Sequence, residues 1–322
     1  MQRLPTPRLS RLAPFVILAL SMACETQYDP CFGTAQKVKD LRVLAVRSDP
    51  PEIVFDPAAA LLPEVRVSLL VADPQTTDEL TITGALCPQA EDKRCGEGAV
   101  AIAALIAKPG AVSFPVRVPR PLLDAALAAD PLRGYGGIRV QLDLQIQGSF
   151  RRSERATKLL LFTPASPGYV PNHGFEILGL GVTLRGRPAG FVTPKDVLPV
   201  AVADLVGLRP ILVADPASPT PAEEYDVVDL SGRAAHLREH LSYSLYSTAH
   251  GRFLSDTADD PGAYAVPSLD GVFKFQSTLE GNGALYIVAR DGRGGVAWFT
   301  SAWSAVDLRS STRKPNLELE CE

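Results

Sequence analysis

Two histidines and a glutamate in the stretch HLREH, residues 236–240, follow the H-x-x-E-H order of one class of zinc site. On a helix, His236 and His240 would share one face as metal ligands, with Glu239 beside them as the base that activates a bound water. A third protein ligand is required, and the downstream candidates Glu280 and Glu318 have no supporting pattern. The surroundings point away from this chemistry. Ser231-Gly232 before the stretch and LSYSLYST after it read as a turn entering a strand, where residues four apart do not converge on one ion. No metal and no cofactor are expected, and a hydrolase using zinc through His236, Glu239 and His240 is the alternative.

Other chemistry-bearing groups have plainer uses. Asp256, Asp259 and Asp260 gather in SDTADDPG, residues 255–262, and hard oxygen ligands of this kind suit Ca²⁺. Turn formation ended by Pro261 and Gly262 accounts for them without an ion. Trp298, Trp303, Tyr286 and Phe299 would stack sugars if they shared an exposed face, but core packing is the expected fate of aromatics on a terminal strand. The chain has no serine nucleophile elbow or phosphate loop, and G-x-G pieces such as 179–181 and 281–283 lack a following helix. No spacing selects a Ser, His and Asp set, so the expectation is a protein that is not an enzyme.

The N-terminus carries an address. Arg3, Arg8 and Arg11 precede an apolar run over 12–23, within the ~7–15 residues of a secretory h-region and short of the ~18 needed to span a bilayer. Ser21-Met22-Ala23-Cys24 resembles the lipobox of bacterial lipoproteins, although Ser21 stands where that pattern usually has leucine. By this resemblance Cys24 would be the acylated first residue of the mature chain. Ordinary signal cleavage is the alternative. Each buried CH₂ contributes about 0.8 kcal/mol, so two or three acyl chains would hold the protein on its membrane essentially permanently. The expected location is the extracytoplasmic face of the cell envelope, with the choice of inner or outer membrane left open.

Setting Cys24 aside leaves four cysteines, Cys31, Cys87, Cys95 and Cys321, with three ways to pair. Cys87 with Cys95 is favoured because it closes the short polar loop CPQAEDKRC. Cys31 and Cys321 would then pair near the two ends of the mature chain, or remain free thiols. With 21% charged and 46% apolar residues the composition is globular. A net charge of −4 without a basic block excludes a nucleic-acid partner, whose phosphates demand clustered Lys and Arg.

The elements that must position these groups are strands. The 28 prolines and 25 glycines scattered along the chain leave little room for long helices, while short alternating runs recur. Strands are predicted over 41–46, 64–71, 79–86, 99–106, 112–118, 138–147 and 157–162. The clearest is IRVQLDLQIQ, whose Ile138, Val140, Leu142, Leu144 and Ile146 alternate with polar residues. A single helix is predicted over 121–130, with proline at its first turn. A second series covers 175–184, 198–214, 223–230, 240–249, 271–278, 283–291 and 295–306, and DGRGG at 291–295 reads as a hairpin turn. This spacing predicts an all-β protein of two immunoglobulin-like sandwiches behind a lipoprotein signal peptide. The parts are a signal peptide at 1–23, a tether at 24–37, a first sandwich at 38–165, a linker at 166–174, a second sandwich at 175–310 and a tail at 311–322.

Several segments together resemble a group of uncharacterised lipoproteins of myxobacteria: LRVLAVRSDPPEI, NHGFEILGL, SYSLYSTAHGRF and LYIVARDGRGGVAW, spread over most of the mature length. The C-terminal part is also similar to bacterial immunoglobulin-like, PKD and cadherin-like modules. It shares their aromatic strand (Tyr243, Tyr246), corner (Thr248, Gly251, Phe253) and final hairpin (Val288, Asp291, Gly294, Gly295), but lacks the Trp usual in PKD modules near Leu245 or Tyr246. The resemblance implies a surface or periplasmic sandwich protein with no catalytic residues to carry over. The expected function is a lipid-anchored, non-catalytic binding or structural module, with the membrane as one partner and an envelope or extracellular protein or glycan as another. An accessory subunit of an envelope assembly is a further alternative.

Overall fold

The computed structural model describes residues 36–89, 94–218, 220–228, 233–254 and 272–307. The first series of strands is β1 (Arg42–Asp49), β2 (Glu52–Phe55), β3 (Val65–Ala72), β4 (Leu80–Pro88), β5 (Val100–Ala107), β6 (Gly110–Val116), β7 (Ile138–Gln147) and β8 (Ser153–Pro164), with a helix α1 (Arg120–Ala129) between β6 and β7. They form two sheets, in the orders β1-β3-β6 and β2-β8-β7-β4-β5. The first strand divides between them. It pairs antiparallel with β3 as far as Asp49, breaks at Pro50 and Pro51, which have no N–H to offer a ladder, and continues as β2 parallel to β8.

Period-two alternation builds the core. Ile138, Val140, Leu142, Leu144 and Ile146 all point between the sheets and are buried. Leu122, Leu123 and Ala126 of α1 join the same cluster and close one end of it. Cys87 at the end of β4 is bonded to Cys95, with 5.5 Å between the Cα atoms, across the connection to β5. Changing both cysteines to serine should lower stability by about 2–3 kcal/mol, the denatured-chain entropy of so short a loop. Chemical denaturation with and without reductant would measure it, and a difference below about 0.5 kcal/mol would contradict the entropic account.

The second series is β9 (Phe175–Leu184), β10 (Arg187–Val192), β11 (Val197–Ala201), β12 (Val206–Ala214), β13 (Glu224–Val228), β14 (Ala234–Arg238), β15 (Ser242–Ser247), β16 (Gly251–Leu254), β17 (Phe273–Ser277), β18 (Gly281–Arg290) and β19 (Val296–Val306). The sheets run β10-β9-β12-β17-β16 and β11-β19-β18-β15, with β13 and β14 forming a separate hairpin. Leaving aside the edge strand β10, the order β9-β12-β17-β16 is that of the A-B-E-D sheet of an immunoglobulin-like sandwich, and β15, β18 and β19 stand as C, F and G. The parallel pairing of β11 with β19 repeats that of β2 with β8. Both halves are therefore immunoglobulin-like sandwiches.

The run expected as one strand over 198–214 is two. The chain reverses around Ala203, at φ +66°, whose N–H donates to the Ser277 carbonyl. This places β11 in one sheet and β12 in the other. Both send alternate residues into the same core, so the apolar pattern continues through the break. The second core centres on Trp303, fully buried, with its ring 5.9 Å edge-on to Phe275. Phe275 lies 5.1 Å from Phe253, and Tyr243 meets Phe273 at the same separation. Gly283 is required here, because a Cβ would sit 2.6 Å from the Trp303 ring.

A third apolar cluster joins the sandwiches. Leu44 and Ala45 of β1 and Leu70 and Ala72 of β3 face Val288 of β18 and Val296 of β19, with Tyr246, Tyr286 and Trp298 packed around them. Arg42 covers the Tyr246 ring at 5.2 Å and Arg47 the Trp298 ring at 4.9 Å. Of the four aromatics that might have formed a platform, Trp303 and Phe299 lie in the second core and Trp298 and Tyr286 in this joint. Residues 36–38, across the expected boundary between tether and first sandwich, hydrogen-bond to Ser247 at the edge of β15, both at 2.9 Å. Val38 is buried in the joint.

Candidate functional site

A dense set of buried charged side chains surrounds the turn DGRGG between β18 and β19. Asp291 Oδ1 accepts the N–H groups of Arg293 (2.8 Å) and Gly295 (2.9 Å), tying the turn from within. Gly292 and Gly294 supply φ of +85° and +115°. The turn thereby aims Arg293 inward at three carboxylates that come from different parts of the fold. Its Nη1 lies 3.3 Å from Glu239 and 3.5 Å from Glu223, and its Nη2 lies 3.6 Å from Glu52. Glu52, Glu223 and Glu239 are all buried. The guanidinium also lies 4.1 Å above the Tyr225 ring on β13.

Each carboxylate is further satisfied. Glu52, on the first sandwich, accepts hydrogen bonds from the Thr163 and Tyr169 hydroxyls and, at 2.8 Å, from the Asn172 N–H. Asn172 Nδ2 donates to Asp291 at 3.1 Å. Glu223 meets His173 Nδ1 at 2.8 Å and accepts its N–H at 3.3 Å. Glu239 accepts the Glu223 N–H at 2.9 Å. The segment between the sandwiches, expected as a linker, is thus bound through Tyr169, Asn172 and His173 to groups on both sides of it. Burial, together with the hydrogen bond and the charge of Glu52, pushes the Tyr169 hydroxyl up to about 12, so it remains a donor.

Burial pushes the Glu239 carboxyl up to about 7, with Asp291 and Glu223 adding like charge against the Glu223 N–H and Arg293. Asp291 is likewise raised by burial, against hydrogen bonds from Asn172 and the turn N–H groups. An acid raised above its ordinary 4.5 contributes stability that is complete below about pH 4.5 and lost as pH climbs through about 7. The protein should therefore be more stable at pH 5 than at pH 8, by about 1–3 kcal/mol from Glu239. In Glu239→Gln this slope should flatten. Urea midpoints at the two pH values test it, and an equal slope in both proteins would remove Glu239 as the cause.

The zinc candidates do not converge. His236 is exposed on β14, with Nδ1 2.8 Å from Asp226 and Nε2 3.4 Å from Glu224, and these partners raise its pKa. Glu239 turns inward to Arg293, and His240 is exposed just before β15. Glu280 accepts the Asp307 N–H, and Glu318 lies outside the described residues. A strand-to-strand passage spreads these groups, where a helix would have stacked them. Among the described residues no group of three or more His, Cys, Asp or Glu side chains is arranged to hold a metal ion. Asp256, Asp259, Asp260, Cys24, Cys31 and Cys321 lie outside the described residues.

The His173–Glu223 pair lines a cleft of about 280 Å³ that also holds Ser218, whose hydroxyl donates to the Thr220 carbonyl at 2.9 Å. The constellation resembles a holding device more than a reactive one. Its one guanidinium is spent on three carboxylates, and each carboxylate accepts further hydrogen bonds. Sequence reasoning attended to Glu239, Asp291 and the glycines of the turn, but missed Arg293, Glu52, Glu223 and the residues of the linker. The usable signal was an arginine inside a glycine turn that needs none.

No protein-family model matches the chain, and no curated protein matches it in sequence. Solved structures that resemble it include latent PorU of Porphyromonas gingivalis (12% identity, TM-score 0.22), where the match covers 83% of this chain and 24% of that one. The Ig1-2 module of the Drosophila receptor protein tyrosine phosphatase DLAR matches at 6% identity and TM-score 0.25, covering 83% of this chain and 99% of that one. The fibronectin(III)-like modules of Clostridium thermocellum CbhA match at 10% identity and TM-score 0.21, covering 82% and 96% respectively.

Proposed function

We propose that this chain is a lipid-anchored protein of the cell envelope, held by acyl chains on Cys24, whose two sandwiches act together as a non-catalytic binding or structural module. The observation that carries the reading is the joint. An apolar cluster and a buried ion network fasten the two sandwiches to each other, and Tyr169, Asn172 and His173 hydrogen-bond the segment between them to both, which suits a stiff spacer that presents surfaces at a set distance. Loops at the sandwich ends are the natural contact points for an envelope or extracellular protein or glycan. The resemblance to myxobacterial lipoproteins agrees with this role. Mass spectrometry of the native N-terminus and fractionation of a Cys24→Ser variant test the anchoring. Acylated Cys24 and release of the variant from membranes are expected. A native protein that is water-soluble and retains Met1 would end the proposal.

A further inference from the structure

A strand at the edge of a sheet offers unpaired N–H and C=O groups to any other strand, and proteins blunt such edges with charge, proline, short length or cover. Most edges of this fold are blunted in one of these ways. β2 and β16 have four residues each. β6, β10 and β11 contain Pro115, Pro188 and Pro199. β1, β13 and β14 carry charged side chains, and β15 is met at Ser247 by residues 36–38. β5, the last strand of β2-β8-β7-β4-β5, is the exception. Its eight residues, VAIAALIA, include no charged side chain and no proline, and among the described residues no strand lies along its outer side. All eight are apolar, yet none is buried, and Ile106 is 64% exposed. Val100, Ile102, Leu105 and Ala107 pack on the first core while staying partly open to solvent. A bulge sets Ala103 and Ala104 against Thr83 of β4, which leaves small side chains at the middle of the open edge.

We infer that β5 pairs antiparallel with β5 of a second copy of this chain, joining their two five-stranded sheets across a two-fold axis. The charges that flank the strand select both this partner and this direction. Glu97 stands three residues before β5 and Lys108 directly after it, both exposed and neither in an ion pair among the described residues. In an antiparallel pair the start of one strand lies beside the end of the other. Each Glu97 therefore approaches Lys108 of the other copy, and the two-fold axis repeats the contact. A parallel copy would set like charge against like. Between these ends the strand meets itself without burying a charge, its edge N–H and C=O groups gain partners, and Ile106 is covered. A single strand pair falls below the roughly 1,200 Å² of a standard interface, so the dimer is of the weak class, with Kd on the order of 10–100 µM. This inference is independent of the anchoring at Cys24.

Sedimentation velocity of the full-length protein over about 1–100 µM, in detergent with micelles in excess of chains so that chance co-occupancy does not count, tests it. A monomer–dimer equilibrium is expected. Ile106→Lys, which sets a charge on the shared edge, should weaken it at least about tenfold. Val213→Lys, at an exposed valine of β12, should leave it within a few-fold. Glu97→Lys should weaken the dimer about three- to tenfold, and adding Lys108→Glu to that variant should restore it, because the swap again faces opposite charges. Hydrogen exchange over residues 100–107 should slow as the protein concentration rises. A protein still monomeric at about 100 µM would overturn the inference, as would a dimer indifferent to a folded Ile106→Lys or a charge swap that fails to restore pairing. Assemblies larger than a dimer would also overturn it, since a closed two-fold pair uses up both edges. Should Ile106→Lys fail to fold, the charge swap and the exchange rates decide the matter.

Discussion

Replacing Arg293 with alanine should lower stability by about 3–5 kcal/mol, because it leaves carboxylates buried without their cation. Glu52, Glu223 and Glu239 have 2%, 10% and 1% of their side-chain surface exposed, so water cannot take over the role of the guanidinium. Breaking one partner of such a set costs more than the set itself contributes, since desolvation of the remaining charges is no longer offset. Arg293→Lys should fall between the two, keeping charge but losing the fork that reaches three acceptors. The loss should be larger at pH 8 than at pH 5, where Glu239 is protonated. Because Glu52 belongs to the first sandwich and the other two to the second, the variant should also unfold in two steps where the wild-type protein unfolds in one. Calorimetry and urea denaturation read both effects. A loss below about 1 kcal/mol with a single transition would mean that the apolar joint alone fastens the sandwiches.

Trp303→Ala should cost a similar amount, about 3–5 kcal/mol, for a different reason. The indole is fully buried against Phe275 and is seated over Gly251 and Gly283, so truncation leaves a cavity that the rigid sheets cannot close. Its Nε1 has no hydrogen-bond partner among the described residues, so none of the loss comes from a broken polar contact. Trp303→Phe should accordingly lose much less, trading a smaller ring for the removal of an unsatisfied N–H. Trp298→Ala, stripping a half-buried ring from the joint, should lie well below Trp303→Ala. Circular dichroism in urea measures all three. Equal losses for Trp298→Ala and Trp303→Ala would contradict the assignment of one to the core and the other to the joint.

The sandwiches were legible because burial between two sheets imposes a period of two, and β7 displays it over ten residues, while β9 shows it in two runs that change phase at residues 179–180. Strands without that signature were not. β10 and β14 are exposed along nearly all of their length and carry no alternation, while β2 and β16 have four residues each. The break between β11 and β12 was hidden because both feed the same core. Cys87–Cys95 was readable from spacing alone, since the bridge spans a separation of eight residues.

Local order is a property of neighbours, so composition and alternation by themselves determined an all-β chain of two sandwiches, the hairpin turn at 291–295 and the short disulfide loop, while the resemblance of residues 21–24 to a lipobox motivates the proposal that Cys24 is acylated. The ion network is a property of distance in space. Asn172 and Glu52 meet across 120 residues of chain, and Lys158 and Gly294 across 136. HLREH placed a glutamate between two histidines, yet strand geometry turned Glu239 toward Arg293 and left His236 and His240 facing water. Which charges share a low-dielectric interior follows from how sheets stack, and that stacking carries no local pattern for a sequence to display.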